Sequence, residues 1–408
     1  MRHVLRRAGR GAIAAVTVAG LLAGLSGCGG STLDISGKHR APEDAIRVLP
    51  EHGAQNIPPE GPLEVRLPSG RLERVRVSRI ENESPAPVPG DISEDGLRWT
   101  PEAGTRLALA AKYSVDVVAL DGHGRRSARH TTFTTEVPAH RFIGYFKPEN
   151  RAVVGTGMIV SFDFNRKITD RAAVERGITV TSDPPVEIAG HWFGADRLDF
   201  RPQRFWEPGT EVTVRLRLRD VEAAPGAYGI QHKTVSFTVG RSQISTVDAT
   251  AKTMEVRRDG GLLATLPVTA GAPKSTTYNG KMVISDMQDV TRMDGRTVGF
   301  TKADGRGEYD IKDVPHAIRL TESGTFLHGN YWATPDIFGR DNISHGCIGL
   351  RDEKGGSGDA PAGWFYDRSL IGDVVEVVNS TDQVVEPDNG LSGWNLTWER
   401  WKDGSALR

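Results

Sequence analysis

The sequence predicts a mainly β protein with two tandem immunoglobulin-like β-sandwiches, a β-rich third domain and a tryptophan-rich C-terminal tail. Its 408 residues exceed what one hydrophobic core usually holds, which indicates two to four domains. The chain contains 47 glycines and 23 prolines but few long helical patterns. Short segments of alternating apolar and polar residues recur between turn-forming clusters, a pattern typical of half-buried antiparallel strands.

The two sandwiches are predicted over residues 41–137 and 138–240. Apolar residues alternate with polar ones in one strand of each: Tyr113, Val115, Val117 and Ala119 in the first, and Val212, Val214, Leu216 and Leu218 in the second. A similar Pro-containing phrase, followed by Gly-Thr, precedes each of these strands, so the plan is repeated. His191-Trp192 in the second sandwich is interpreted as packing, because a large aromatic beside a turn usually buries area.

Residues 1–28 are interpreted as a targeting segment, with four arginines before a short apolar run. The run ends at Leu-Ser-Gly-Cys28, which resembles the bacterial lipobox, so we expect a lipid on Cys28 and a tether over 29–40. A plain secretory signal and a membrane anchor are the alternatives. Removing the segment shifts the formal charge from −1 to about −5. An acidic exported chain without a basic run is a poor nucleic-acid binder.

The third domain is predicted over residues 241–379. A hairpin is expected around Asp259-Gly260-Gly261, and a Gly- and Pro-containing loop covers 269–280. That loop is not a nucleotide-binding P-loop, because no glycine directly precedes Lys274. A strand is expected over 281–287, and the polar segment 288–315 is expected to cover the functional site.

The candidate reactive group is Cys347, the only cysteine besides Cys28. A thiol attacks a carbonyl only as the thiolate, so it needs a nearby base such as His328. The Gly-rich turn Ser344-His345-Gly346-Cys347 can supply backbone N–H donors for a developing oxyanion. Three other interpretations remain open from the residues alone: a buried structural cysteine, a redox-sensing thiol, and a zinc ligand with the two histidines.

The stretch from Leu327-His328-Gly329 to Ser344-His345-Gly346-Cys347-Ile348 resembles the active-site motif of the L,D-transpeptidases, which have a YkuD-type catalytic domain. The tandem sandwiches and lipoprotein signal resemble the mycobacterial type, where the sandwiches act as a stalk. The resemblance implies a cysteine acyltransferase that forms 3→3 cross-links between peptidoglycan stem peptides and releases D-alanine. It also implies acylation by carbapenems, a position at the outer face of the membrane facing the cell wall, and no metal or organic cofactor.

The resemblance also implies roles for single residues. His328 would be the general base, oriented by the carbonyl of Gly329. Ser344 and His345 would shape the turn. The N–H groups of Gly346 and Cys347 would form the oxyanion hole, with that of His345 as a further candidate donor. The expected substrate-binding residues flank these positions: Tyr309, Asn330, Tyr331, Trp332 and Gly349. Many relatives carry Asn or Arg where this chain has Gly349.

Other functions with the same motif remain open. An L,D-carboxypeptidase or an enzyme that attaches proteins to the wall would use the same thioester. The chain could also be an inactive wall-binding lipoprotein. The tail, residues 380–408, carries Trp394, Trp398 and Trp401, the last two at helical spacing. We expect them to dock the tail on the catalytic domain and the second sandwich, with glycan stacking as the alternative.

Overall fold

A computed structural model describes residues 45–80 and 85–407. The predicted lipidation at Cys28, the signal segment and the 29–40 tether lie outside these residues. Strands dominate the described chain, so the predicted mainly β class is confirmed. Within the described residues, no helix combines the length and the apolar character needed to cross a membrane.

The first domain consists of two four-stranded sheets packed face to face. Its strands are β1 (Arg47–Leu49), β2 (Glu64–Arg66), β3 (Arg71–Ile80), β4 (Ala86–Val88), β5 (Gly90–Ile92), β6 (Arg98–Pro101), β7 (Lys112–Leu120) and β8 (Arg126–Thr134). One sheet has the order β1-β2-β6-β5 and the other β4-β3-β7-β8. Every second residue of β7 is buried, as its sequence pattern predicts. The stacked rings of Tyr113 and Phe133, 5.2 Å apart, lie in the core between the sheets.

The second domain is built in the same way, with two four-stranded sheets and a three-stranded one. Its elements are β9 (His140–Phe142), β10 (Gly144–Lys147), β11 (Val153–Val154), β12 (Val160–Phe164), α1 (Arg171–Arg176), β13 (Ile178–Asp183), β14 (Ile188–Phe193), β15 (Arg197–Pro202), β16 (Glu211–Arg217), β17 (Glu222–Ala224), β18 (Ala227–Gly229) and β19 (His232–Val239). The sheet orders are β10-β12-β15-β14, β11-β19-β16-β13 and β17-β18-β9. The alternation predicted around Val212 is observed in β16.

The third domain contains one nine-stranded mixed sheet. Its elements are β20 (Gln243–Asp248), β21 (Thr253–Arg258), β22 (Gly261–Thr269), β23 (Gly280–Val283), β24 (Asp286–Asp294), β25 (Asp310–Arg319), β26 (Phe326–Asn330), β27 (Ile348–Arg351), α2 (Pro361–Tyr366), β28 (Val374–Val378) and α3 (Trp398–Lys402). Single 3-10 turns cover Gly295–Val298 and Gly393–Asn395. The strand order is β23-β28-β20-β21-β22-β27-β26-β25-β24. Positive φ at Asp259 and Gly260 closes the predicted β21–β22 hairpin.

The prediction of one strand over 281–287 is wrong. The chain forms β23 and β24 instead, and these lie at opposite edges of the sheet. Between them, Ile284 exchanges backbone hydrogen bonds with the 372–373 turn, and Ser285 N–H donates to Arg319 O at 3.0 Å. The segment therefore links the two sheet edges. The polar segment 288–315 contains most of β24 and the start of β25, which pair as an antiparallel hairpin. Its polar residues occur because β24 is an edge strand of the sheet.

The C-terminal tail packs around Arg201, a residue of β15 in the second domain that is only 1% exposed. The central carbon of its guanidinium lies 4.4 Å from the ring centre of Trp401, 4.7 Å from that of Trp394 and 5.5 Å from that of Trp398. Nη2 donates to the carbonyl of Leu396 at 3.0 Å. None of its hydrogen-bond partners is a carboxylate, and burial lowers the pKa of Arg201 to about 10. Indole faces and carbonyl oxygens thus solvate this cation.

The same tail covers an edge of the third domain's sheet. The side chain of Asn395 accepts from the N–H of Lys281 at 2.9 Å and donates to its carbonyl at 2.8 Å. Trp394 Nε1 donates to Gly157 O of the second domain at 2.7 Å. Because Val283 and Leu391 also belong to the second domain's core, the tail joins the two domains.

Trp401→Ala is expected to lower the free energy of unfolding of the second domain by about 3–5 kcal/mol, because the side chain is fully buried and stacks on His191 at 4.8 Å. Differential scanning calorimetry measures the shift. Arg400→Ala, an exposed neighbour on α3, is the matched control and should change stability little. Equal transitions for the two variants would show that the tail does not stabilise this domain.

Candidate active site

A cavity of about 290 Å³ lies in the third domain at the start of β27. It is lined by Met293, Tyr309, Ile311, His328, Asn330, Trp332, Ile343, Ser344, His345 and Cys347. Seven of these ten residues are among those predicted for the site, and none is a Lys, Arg, Asp or Glu. Among the residues that the structure describes, no group of three His, Cys, Asp or Glu side chains is arranged to hold a metal ion.

Two adjacent parallel strands bring Cys347 and His328 to this cavity. Strands β26 and β27 pair in a register that sets Leu327 opposite Ile348 and His328 opposite Gly349. Cys347 directly precedes β27, and His328 lies within β26. The 17 intervening residues, numbered 331–347, connect the two strands and therefore carry Cys347 back to the histidine.

The 344–347 turn is fastened to the Gly- and Pro-containing loop that follows β22. Ser344 N–H donates to Ala270 O at 3.1 Å, and Ala272 N–H donates to Ser344 O at 2.8 Å. Thr277 Oγ1 donates to Gly346 O at 2.9 Å. The loop that superficially resembles a P-loop thus holds the thiol-bearing turn in place.

Inside the turn, the Ser344 side chain binds the backbone of two other turn residues. Its Oγ donates to Cys347 O at 2.5 Å and accepts from Gly346 N–H at 3.2 Å. This corrects the oxyanion-hole assignment for Gly346, because that N–H is already engaged. The backbone N–H groups of His345 and Cys347 have no acceptor among the described residues. Gly346 has φ of +111°, which explains the glycine.

The His328 ring is oriented by a hydrogen bond at Nδ1, and its Nε2 has no hydrogen-bond partner among the described residues. Its side chain is 4% exposed, and Nδ1 lies 2.9 Å from the carbonyl oxygen of Gly329, the contact predicted from the sequence. Since a carbonyl only accepts, Nδ1 carries the proton and Nε2 keeps a lone pair. Burial lowers the pKa of His328, and the bond to Gly329 opposes this in part. The ring stacks on Trp332 at 5.6 Å.

Cys347 is a half-buried free cysteine. Burial raises its pKa to about 11, while a backbone hydrogen bond from Phe326 lowers it. The Sγ atom donates to Gly324 O at 3.6 Å. A thiol with so high a pKa needs a base to become nucleophilic at neutral pH.

Residues of the β24–β25 connection contact the His345 side chain and so close one side of the cavity. His345 Nε2 lies 3.1 Å from Glu308 Oε2. The His345 ring centre lies 5.1 Å from that of Phe300 and 5.0 Å from that of Tyr309. Burial, followed by the charge of Cys347, raises the pKa of Tyr309 to about 12. The His345 side chain therefore packs against the β24–β25 connection, which covers the cavity.

Four predicted site residues do not line the cavity: Gly329, Tyr331, Gly346 and Gly349. Tyr331 donates its hydroxyl to Asp313 Oδ1 at 2.6 Å, which turns it away. Gly349 is buried in the sheet, where a Cβ would lie 2.9 Å from Thr269 Cγ2. Gly329 contacts His328 through its carbonyl. The substrate-binding roles of Tyr331 and Gly349 stay predictions.

Sequence reasoning did not find the support behind Gly329. The Asp352 carboxylate is buried and lies 2.7 Å from His316 Nδ1, and a Cβ on Gly329 would meet its Oδ2 at 2.2 Å. His316 has φ of +48°, a strained value for a non-glycine residue. The sequence signal was an acidic residue directly after β27, which ends at Arg351. No sequence pattern indicated that the apolar residues Met293, Ile311 and Ile343 would line the cavity.

The chain resembles proteins of known function along most of its length. Residues 54–222 match the family model of a bacterial Ig domain, and residues 242–377 match that of the L,D-transpeptidase catalytic domain. L,D-transpeptidase 2 of Mycobacterium tuberculosis is 33% identical over 354 residues, which are 87% of this chain and 83% of that protein. L,D-transpeptidase 5 of the same species is 27% identical over 390 residues, 94% of this chain and 82% of that protein. A solved structure of L,D-transpeptidase LdtMt1 with imipenem is 30% identical, covers 59% of this chain and 100% of that chain, and has a TM-score of 0.48.

Proposed function

Because the chain belongs to the L,D-transpeptidases, enzymes that act on peptidoglycan, we propose that Cys347 is its nucleophile and that the reaction passes through a thioester on Sγ. One observation carries the proposal. A half-buried thiol and a histidine with a free Nε2 line the same cavity, on neighbouring strands of fixed register. The chemistry is acyl transfer between stem peptides.

In the first half-reaction, Nε2 of His328 takes the thiol proton as Sγ attacks the carbonyl of the diamino acid at its L-centre. A tetrahedral oxyanion forms. When it collapses, the bond to the terminal D-alanine breaks, and the imidazolium returns the proton to the leaving amine. The product is a thioester and free D-alanine.

In the second half-reaction, the side-chain amine of a neighbouring stem attacks the thioester. His328 accepts the proton that this amine loses and returns it to the departing sulfur. The new amide is the 3→3 cross-link, and the enzyme regains its neutral thiol. The lowered pKa of His328 suits this shuttle, because the imidazole is neutral, and hence a base, at pH 7.

The oxyanion is assigned to the backbone N–H groups of His345 and Cys347. These two donors lack acceptors among the described residues, whereas Gly346 N–H is bound to Ser344 Oγ. Preorganised backbone donors stabilise developing negative charge at no cost of reorganisation. Anchoring of the turn by Ala270, Ala272 and Thr277 keeps those donors fixed.

We expect meropenem to acylate the wild-type chain once, because its strained amide presents a carbonyl to the same thiol. Cys347→Ala should give no adduct, and His328→Ala should slow acylation by about 10²–10⁴-fold, the usual contribution of a general base. Intact-mass spectrometry measures both. His123→Ala, at an exposed turn of the first sandwich, is the control. An adduct on Cys347→Ala would place the nucleophile elsewhere.

The acylation rate should also depend on pH through His328. Because burial lowers its pKa, the base stays active down to a pH below 6.5 and is lost as pH falls through the lowered value. The rate should therefore rise with pH below 6.5 and level off through neutral pH. A rate that instead climbs tenfold per pH unit from 8 to 10 would mean that free thiolate forms without His328.

We further propose that a lipid on Cys28 anchors the enzyme to the outer face of the cell membrane, facing the wall, with the sandwiches as its stalk. The support is the lipobox-like sequence at 25–28. Cys28→Ser should move the protein from the membrane to the soluble fraction of a bacterial expression host and abolish incorporation of labelled fatty acid. Equal incorporation by both forms would rule the anchor out.

A further inference from the structure

Asn330 presents an unused amide donor to the cavity. It follows His328 by two residues in β26, so both side chains lie on the same face of the sheet. The side chain is 3% exposed and lines the cavity. Its Oδ1 accepts from Ala333 N–H at 3.0 Å, which fixes the orientation of the amide. No described residue accepts a hydrogen bond from Nδ2.

Because Asn330 lines the cavity, a group that enters the cavity can reach its Nδ2. The other polar side chains of the cavity do not supply an acceptor. Ser344 Oγ is engaged within its turn, and His345 Nε2 contacts Glu308. An acceptor that arrives with the substrate would satisfy Nδ2.

The absence of a side chain at Gly349 leaves space for the Asn330 amide. It lies opposite His328 in the neighbouring strand, and a Cβ there would approach Asn330 Nδ2 to 3.3 Å and Asn330 Cβ to 3.4 Å. It would also meet Thr269 Cγ2 at 2.9 Å. A side chain at 349 would therefore compete with the amide for the same space.

The lack of charged side chains in the cavity indicates which kind of acceptor Nδ2 can bind. None of its lining residues carries a fixed charge. A neutral amide N–H in such surroundings suits a carbonyl oxygen, whereas a carboxylate would enter without a counter-charge.

We propose that Asn330 determines how the donor stem is seated, by donating Nδ2–H to a peptide carbonyl oxygen next to the scissile bond. The inference rests on the proposed function, since it assigns a partner to the stem that Cys347 attacks. In this role, Asn330 replaces any contact from position 349 and helps to align the attacked carbonyl with Sγ.

Two variants test the assignment. Asn330→Asp keeps the oxygen that Ala333 uses and removes the donor. Asn330→Leu removes the donor in a neutral side chain of similar size. For each, D-alanine release from a tetrapeptide stem gives kcat/KM, and alkylation by iodoacetamide gives the intrinsic reactivity of Cys347. Asn165→Asp is the matched control, because its Oδ1 likewise accepts a backbone N–H, that of Ile143, on an exposed surface of the second sandwich.

Both Asn330 variants should lose at least about tenfold more in kcat/KM than in alkylation rate, as expected for one lost substrate hydrogen bond. The thermal midpoint is measured for both variants, because an unpaired carboxylate at this buried position should lower it for Asn330→Asp. If either variant loses the two activities in equal proportion, Asn330 only shapes the cavity and the proposal is wrong. Failure of the wild type to release D-alanine would instead refute the proposed function, and this inference with it.

Discussion

The active-site arrangement depends on the parallel pairing of β26 and β27. With His328 opposite Gly349, Cys347, the residue just before β27, lies diagonally across from the histidine on the same face of the sheet, whereas a slip of one residue would move it to the other face. Hydrogen bonds along a buried central pair are difficult to shift, because a slip would move every side chain to the wrong face. The cavity cover, the 270–277 loop and the Asp352–His316 pair all attach to this core and adjust its surroundings.

Burial has opposite effects on the two central groups, and both effects favour neutral forms. It raises the pKa of the Cys347 thiol and lowers the pKa of the His328 imidazole. A standing thiolate–imidazolium pair is therefore disfavoured in the resting cavity. In the proposed reaction, proton transfer would therefore accompany the attack, and the orientation of His328 by Gly329 O would matter as much as its proximity.

Local patterns in the sequence predicted the parts that depend on local physics. Alternation located β7 and β16, the Asp259-Gly260 pair located a hairpin, and the Ser344–Cys347 motif located the reactive turn. The separation of β23 from β24, the turning away of Tyr331 towards Asp313, and the engagement of Gly346 N–H were not predictable. Each depends on a partner or a strand position that only tertiary structure specifies.

The cage around Arg201 has a consequence for how the joint between tail and sandwich responds to salt. In a medium rich in mobile counter-ions, an exposed ion pair is weakened by screening. Arg201 contacts three indole faces and carbonyl oxygens, and its surroundings exclude solvent. Mobile ions have little access to this joint, so the connection between the second sandwich and the catalytic domain is insulated from changes in ionic strength.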